Sequence, residues 1–452
     1  MRRVVQIAAP WRDPALALAA LADEAWSLCL LSGGGGERGR WSYLASRPRR
    51  VLVVEAAEGG DPFAALADLI PEGDMLADGP PFQGGVAGLA TYELGGRAQG
   101  LDLAAHPDWP HLAVGLYPAV LAFDHQAQRL SAIGRGDSQT QARARAHGLL
   151  AALEAGPRPT PPAALAGPMA VAPGGAYEAA VAEVVGRIAA GEIFQANIAR
   201  QWTGELTPGA SPYDLFAGLA RRSAAPFAAY LRLPGRAVVS NSPERFVALR
   251  RGPAGLTAET RPIKGTRPRG CDAAQDAALA AELLASPKDR AENLMIVDLM
   301  RNDLARVCRP GTVRVPELFA IESFANVHHL VSTVTGVMQA GRGAADLLRA
   351  AFPAGSITGA PKIQAMKVIA GLEPPRGPYC GAIFWAGVDG AFDSSVLIRT
   401  AACVETPQGW RVEARAGAGL VADSDPVAER LETEAKISAL LAALSADPRG
   451  AA

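Results

Sequence analysis

The stretch CGAIFWAGVDGAFDSSVLIRTAACVETPQGWRVEARAGAGLVADSDPVAERLETEAKISALLAAL, residues 380–444, decides the fold class. Residues 380–388, 395–404 and 410–416 read as three strands with turn residues between them. Asp425-Pro426 then starts a helix, with Asp as N-cap and Pro at the first helical position, running to about Leu444. Working outward, 177–190 reads as a helix ended by Gly191. Residues 227–233 and 237–240 read as strands leading into Ser242-Pro243-Glu244-Arg245-Phe246, and 291–307 as a helix stopped by Pro310-Gly311. Strands joined by hairpin-length turns, together with several long helices, predict an α+β fold with a largely antiparallel sheet.

One seam interrupts the chain. Residues 155–176 are rich in proline and glycine and lack any helical or strand period. They divide a region 1–154 from a region 177–445, which a short tail 446–452 follows. In the first region 51–54 and 119–123 read as strands, and the glycines of 81–92 imply close backbone approaches. With 452 residues, 49% hydrophobic and 20% charged, the chain has the composition of a globular protein with a large core. A formal net charge of −1 gives no electrostatic case for nucleic acid or an anionic membrane. The five cysteines are scattered and without C-x-x-C spacing, which argues against a disulfide framework and for a reducing compartment. No apolar run reaches the ~20 residues that span a bilayer, and no signal-peptide pattern opens the chain, so a cytoplasmic protein is expected. Neither a P-loop nor a dinucleotide fingerprint is present.

Of 44 basic residues only five are lysine, and Lys264 sits between Ile263 and Gly265 in ETRPIKGTRPRG (259–270). A desolvated lysine can lose its proton and act as a nucleophile, which arginine cannot. Glu429, Glu432 and Lys436 share one helix face by their spacing of three and four. With Glu292, a carboxylate from each of two helices could hold one Mg²⁺, an ion that takes oxygen ligands. The loop 354–362 runs into a helix with Pro361 at its first position and suits an anion, while Gly417 and Gly419 form a tight turn or let a ligand reach the backbone. Of the adjacent pair His328 and His329, one at most faces a polar site.

Together these stretches resemble the chorismate-utilising enzymes, the family of anthranilate synthase component I. The resemblance is carried by SPERF (242–246), ETRPIKGTRPRG (259–270), ENLMIVDLMRNDLARV (292–307), SITGAPK (356–362), PYCGAIFWAG (378–387), LIRT (397–400), GAGLVADSDP (417–426) and ERLETEAK (429–436). PFQGGVAGLATYELG (81–95) extends it more loosely toward the N-terminus. It implies a large composite domain of mostly antiparallel sheets packed as a sandwich with helices outside. Lysine at the Lys264 position resembles the members that aminate chorismate at C4; anthranilate-forming members carry alanine there. Gln195 stands where water-adding members carry a lysine base. The resemblance further implies Glu244 as general acid, with Lys264, His329 and Thr266 in the catalytic group. Glu292, Glu432 and Glu429 would serve Mg²⁺, and Tyr379, Arg399, Lys436 and the backbone at Gly417 and Gly419 would hold the substrate carboxylates. Ammonia would come from a separate glutamine amidotransferase subunit. Relatives bind tryptophan in the region matching residues 28–36 and 41–43. This chain lacks the Leu-Glu-Ser element of feedback-inhibited members, which argues against inhibition and leaves a bound tryptophan open. The competing readings are an anthranilate-forming enzyme and, further off, a non-catalytic binding protein on the same scaffold.

Overall fold

The C-terminal hairpins form the frame of the molecule, as strands Ala382–Gly387, Phe392–Val396, Thr400–Thr406 and Gly409–Leu420. In this computed structural model, which describes residues 2–33, 39–155, 165–223, 225–324 and 327–444, they are divided between two antiparallel sheets. Phe392–Val396 belongs to a sheet of 10 strands and Thr400–Thr406 to one of 12. The expected single strand 395–404 is therefore two, and the chain crosses between sheets at residues 397–399. Arg399 makes the crossing in a left-handed conformation, φ 51°. The strand expected at 410–416 runs on to Leu420, so Gly417 and Gly419 lie within it and not in a turn.

Both sheets take strands from either side of the 155–176 seam. In the larger sheet Leu28–Leu31 pairs with Phe227–Leu233, and in the smaller Gly85–Ala90 pairs with Ala382–Gly387. The sheets face each other across a core that includes Tyr43, Ala122 and Leu231 from one and Leu89, Ile383 and Trp385 from the other. Helices cover the outer faces. Pro287–Ala305 and Ala344–Ala351 bury Ile296, Met300 and Leu348 with Phe246 and Phe384 of the smaller sheet. Gln139–Ala152, Pro212–Ser223 and Pro426–Leu444 bury Leu149, Phe216 and Ile437 on the larger. Each fully buried side chain of this size contributes roughly 1.5–3 kcal/mol. The expected sandwich with outer helices is what forms.

Two helix readings shift. The helix expected at 291–307 is Pro287–Ala305, and a second helix, Ala273–Ala285, precedes it. Ser286 separates them, its hydroxyl accepting from the Asp289 N–H at 3.3 Å as an N-cap. Pro361 caps the helix Lys362–Leu372 and is not its first residue. Of the seam, Ala170–Val171 pairs with Trp202 and Thr203. Residues 156–164 and the tail 446–452 lie outside the described residues.

The glycines of 81–92 do mark close approaches. A Cβ on Gly85 would lie 2.2 Å from the Ala386 carbonyl oxygen, and its φ is +143°. Gly85→Ala is expected to destabilise the protein by about 2 kcal/mol or more, measured as a lower midpoint in urea unfolding.

Candidate active site

A β-bulge aims the lysine. Ile263 pairs with Val331 and Thr266 with His329, so Lys264 and Gly265 form the irregular step between them. Such a bulge bends its strand and redirects a side chain. Gly265 fits because its φ is +87° and a Cβ there would come within 2.8 Å of Asp289 and Leu283. Lys264 thereby points into a cavity of about 590 Å³ that Glu244, Thr266, Glu292, His329, Tyr379, Arg399, Gly417, Gly419, Glu429, Glu432 and Lys436 also line, while Gln195 and His328 do not.

The walls come from distant elements. The helix Pro287–Ala305 supplies Glu292, whose carboxylate lies 3.7 Å from the Lys264 ammonium. The helix Pro426–Leu444 supplies Glu429, Glu432 and Lys436. Lys436 is tied to Glu432 at 2.6 Å and donates to the Gly417 carbonyl at 3.0 Å. Glu429 instead accepts from Ser424 at 2.6 Å. The crossing at 397–399 brings in Arg399, and Tyr379 stands beside Gly417: a Cβ there would lie 3.0 Å from its hydroxyl. His329 lines the cavity and its Nδ1 is 2.9 Å from the Thr266 hydroxyl. His328 is buried, held between Ser323 at 2.8 Å and Asp276 at 2.9 Å.

Burial governs the charges. It lowers the Lys264 pKa, opposed by Glu292 and assisted by Lys436. It raises the Glu244 pKa, and the Ser356 hydrogen bond, with Lys264 and Arg399, pulls back. It lowers the His329 pKa, reinforced by Arg399, which favours a neutral imidazole. A cleft that joins an amine whose pKa is lowered, a carboxyl whose pKa is raised and a guanidinium can perform acid–base and nucleophilic chemistry on an anion.

The motif reading missed two groups. Ser356 donates to Glu244 at 2.7 Å, although the two stand 112 residues apart. Asn197 lines the cavity from the strand Gln195–Glu205, with Gln195 two residues earlier on the same face. That alternation is the signal that could have exposed Asn197.

Glu292, Glu432 and Glu429 present only oxygen donors to one cavity, a set whose chemistry fits Mg²⁺. Among the described residues no three His, Cys, Asp or Glu side chains are already gathered at metal-holding distance. Glu292 lies 3.7 Å from the Lys264 ammonium and Glu432 2.6 Å from that of Lys436.

A sandwich of antiparallel sheets thus holds a glycine-lined cleft in which ammonium and guanidinium groups stand among carboxylates. Residues 35–442 match the model of the chorismate binding enzymes, and the chain belongs to that family. It is 40% identical over 461 residues to aminodeoxychorismate synthase component 1 of Klebsiella aerogenes, covering 96% of this chain and 98% of the relative. It is 41% identical over 447 residues to anthranilate synthase component 1 of Streptomyces coelicolor, covering 93% and 84%. The solved anthranilate synthase component I of Streptococcus pneumoniae superposes with a TM-score of 0.77 at 27% identity, covering 90% of this chain and 93% of that one. No helix among the described residues is long and apolar enough to cross a membrane.

Ser356→Ala removes the donor that holds the Glu244 pKa down, so that pKa is expected to rise further. A step needing protonated Glu244 then keeps its rate to higher pH, and a pH–rate profile would show the basic limb displaced upward.

Proposed function

We propose that this enzyme aminates chorismate at C4, giving 4-amino-4-deoxychorismate for 4-aminobenzoate and folate synthesis. The observation that carries this reading is Lys264, buried at a bulge and facing the same space as Glu244, Arg399 and Gly419. Relatives bearing the aminodeoxychorismate and anthranilate synthase names match at nearly equal identity, so the choice between them rests on this lysine.

Arg399, Tyr379, Lys436 and the backbone at Gly417 and Gly419 hold the two substrate carboxylates. A guanidinium fork suits a carboxylate well. Glu292 and Glu432, with Glu429 nearby, would hold Mg²⁺, which would supply Lewis-acid withdrawal of charge from the substrate. Lys264, in the neutral form that burial favours, attacks C2 as the C4–O bond breaks, and Glu244 gives its proton to the departing oxygen, which leaves as water. Ammonia then adds at C4, the C2–N bond to Lys264 breaks, and Glu244 takes back the extra proton from the new ammonium. Two successive allylic displacements place the amine on the face that the hydroxyl left. His329, kept neutral and oriented by Thr266, lines the reacting space. Ammonia is supplied by a separate glutaminase subunit, because neutral ammonia is scarce near pH 7.

Lys264→Ala is expected to lower C4 amination driven by glutamine at least about 100-fold, or about 2.7 kcal/mol on the barrier. A lyase-coupled assay for 4-aminobenzoate reads it, and direct formation of anthranilate by the unmodified enzyme would refute the reading.

A second cavity, between the two sheets, is walled by Trp41, Tyr43, Phe227 and Trp385, with Arg245 and Asp393 beside them. Aromatic walls beside one carboxylate, Asp393, and the two guanidiniums paired with it, Arg245 and Arg250, suit a free aromatic amino acid, and we assign it tryptophan. Gly34, Gly35 and Gly36 of the matching stretch lie outside the described residues. L-tryptophan should raise the melting temperature in a concentration-dependent way, by about 2.7 kcal/mol of stability at 100 times its Kd; an unchanged Tm removes the assignment.

A further inference from the structure

We infer that Asn197 reads the leaving group: its side-chain oxygen accepts a hydrogen bond from the C4 hydroxyl of chorismate and turns that oxygen toward Glu244. This rests on the amination reading above and adds to it the residue that recognises the substituent being replaced.

The backbone of Asn197 is clamped on both sides. Its N–H donates to the Thr358 carbonyl at 2.8 Å, and its own carbonyl accepts from Arg376 at 2.7 Å. Arg376 is itself fixed, since it is 1% exposed and ion-paired with Glu373 at 2.8 Å. The side-chain oxygen is held by nothing comparable. Asn197 is 7% exposed and lines the catalytic cavity, yet its Oδ1 has no hydrogen-bond partner among the described residues. Folded proteins rarely bury an amide oxygen unpaired, because it gives up its water without replacement. A rigid backbone that presents an open acceptor to the cleft suits a ligand that brings a donor.

The chorismate dianion brings one. Its two carboxylates and its ether oxygen only accept, and the C4 hydroxyl is its single O–H donor. Position agrees with chemistry. Asn197 Oδ1 and the Tyr379 hydroxyl lie 2.7 and 3.0 Å from the point where a Cβ on Gly417 would stand. Lys264 Nζ lies 3.1 Å from the corresponding point on Gly419, two residues along the same face of the strand Gly409–Leu420. That step is roughly 7 Å. A ring lying across the two glycines with C2 toward Lys264 turns C4 toward Asn197. Tyr379 then meets the enolpyruvyl carboxylate, which C3 carries beside the hydroxyl. Burial pushes the Tyr379 phenol up, so it keeps the proton it donates.

The bond has a use in the reaction. A hydroxyl that donates to Asn197 points its lone pairs away from the amide, where Glu244 can protonate one of them. The water formed as the C4–O bond breaks still has a hydrogen for Oδ1. The C4 amine of the product carries N–H groups and donates the same bond. A C4 substituent with neither O–H nor N–H would leave Oδ1 buried and unpaired, and a polar site rejects such an analogue strongly.

The test measures chorismate consumption by the full chain with saturating ammonium and Mg²⁺, and competition by the 4-O-methyl ether of chorismate, which keeps both carboxylates and lacks the O–H. Asn197→Ala is expected to lower kcat/KM for chorismate about tenfold, the factor that one hydrogen bond carries, while the ether binds as tightly as to the unmodified enzyme or more tightly. Asn197→Leu, which fills the space without an acceptor, is expected to lower kcat/KM by a similar factor and stands in should the alanine variant not fold. A parallel weakening of chorismate and its ether overturns the assignment, as does an unchanged kcat/KM. The amination reading fails on a separate readout, the product: anthranilate in place of the C4 amine from the unmodified enzyme refutes it. Both routes expel the C4 hydroxyl, so the comparison of chorismate with its ether decides the role of Asn197 in either case.

Discussion

An ammonium and a carboxylate buried against each other hold the cleft in register. Lys362 Nζ lies 2.6 Å from Asp303 and donates to the Ala351 carbonyl at 2.6 Å. Both residues are almost fully buried. Burial lowers the lysine pKa and lifts the aspartate to about 6, while their mutual attraction opposes both shifts. Removing one partner would strand the other, at about 3–5 kcal/mol. Asp303 ends the helix whose other end carries Glu292, and Lys362 follows the loop that carries Ser356. The pair therefore sets Glu292 against Lys264 and Ser356 against Glu244 without touching any of the four.

Much of the fold was legible because its signals are local. Turn residues between apolar runs marked the hairpins of 380–416, and Asp425-Pro426 marked the last helix. The crossing at 397–399 was not legible. Val396-Leu397-Ile398 is an unbroken apolar run, and the left-handed turn falls on Arg399, a residue that seldom adopts it, with no glycine to announce it. The helix Ala273–Ala285 escaped notice because alanine fills both its faces, so no apolar stripe stands out. The sharing of each sheet between both sides of the seam depends on pairings between distant segments, which no local window contains.

In the cleft, the charged residues were legible as motifs, and the structure brings all of them to one cavity. What the motifs could not convey was how each is held. Ser356 on Glu244, Lys436 on Gly417 and Arg376 on Asn197 are bonds between segments that meet only after folding. The bulge at Lys264 is likewise set by its partner strand: His329 and Val331 fix the register that Ile263 and Thr266 must meet.

The strand order has a consequence for how the chain is made. Leu28–Leu31 is completed by Phe227–Leu233, and Gly85–Ala90 by Ala382–Gly387, so early strands lack their neighbours until late in translation. At roughly 5–20 residues per second, the second of these intervals lasts tens of seconds. Throughout it, apolar strands with open edges stand exposed on the ribosome, on a timescale at which intermolecular pairing competes with folding. The interleaving that encloses the cleft in the finished enzyme thus leaves the edges of its early strands unpaired, that of Gly85–Ala90 until the last third of the chain has emerged.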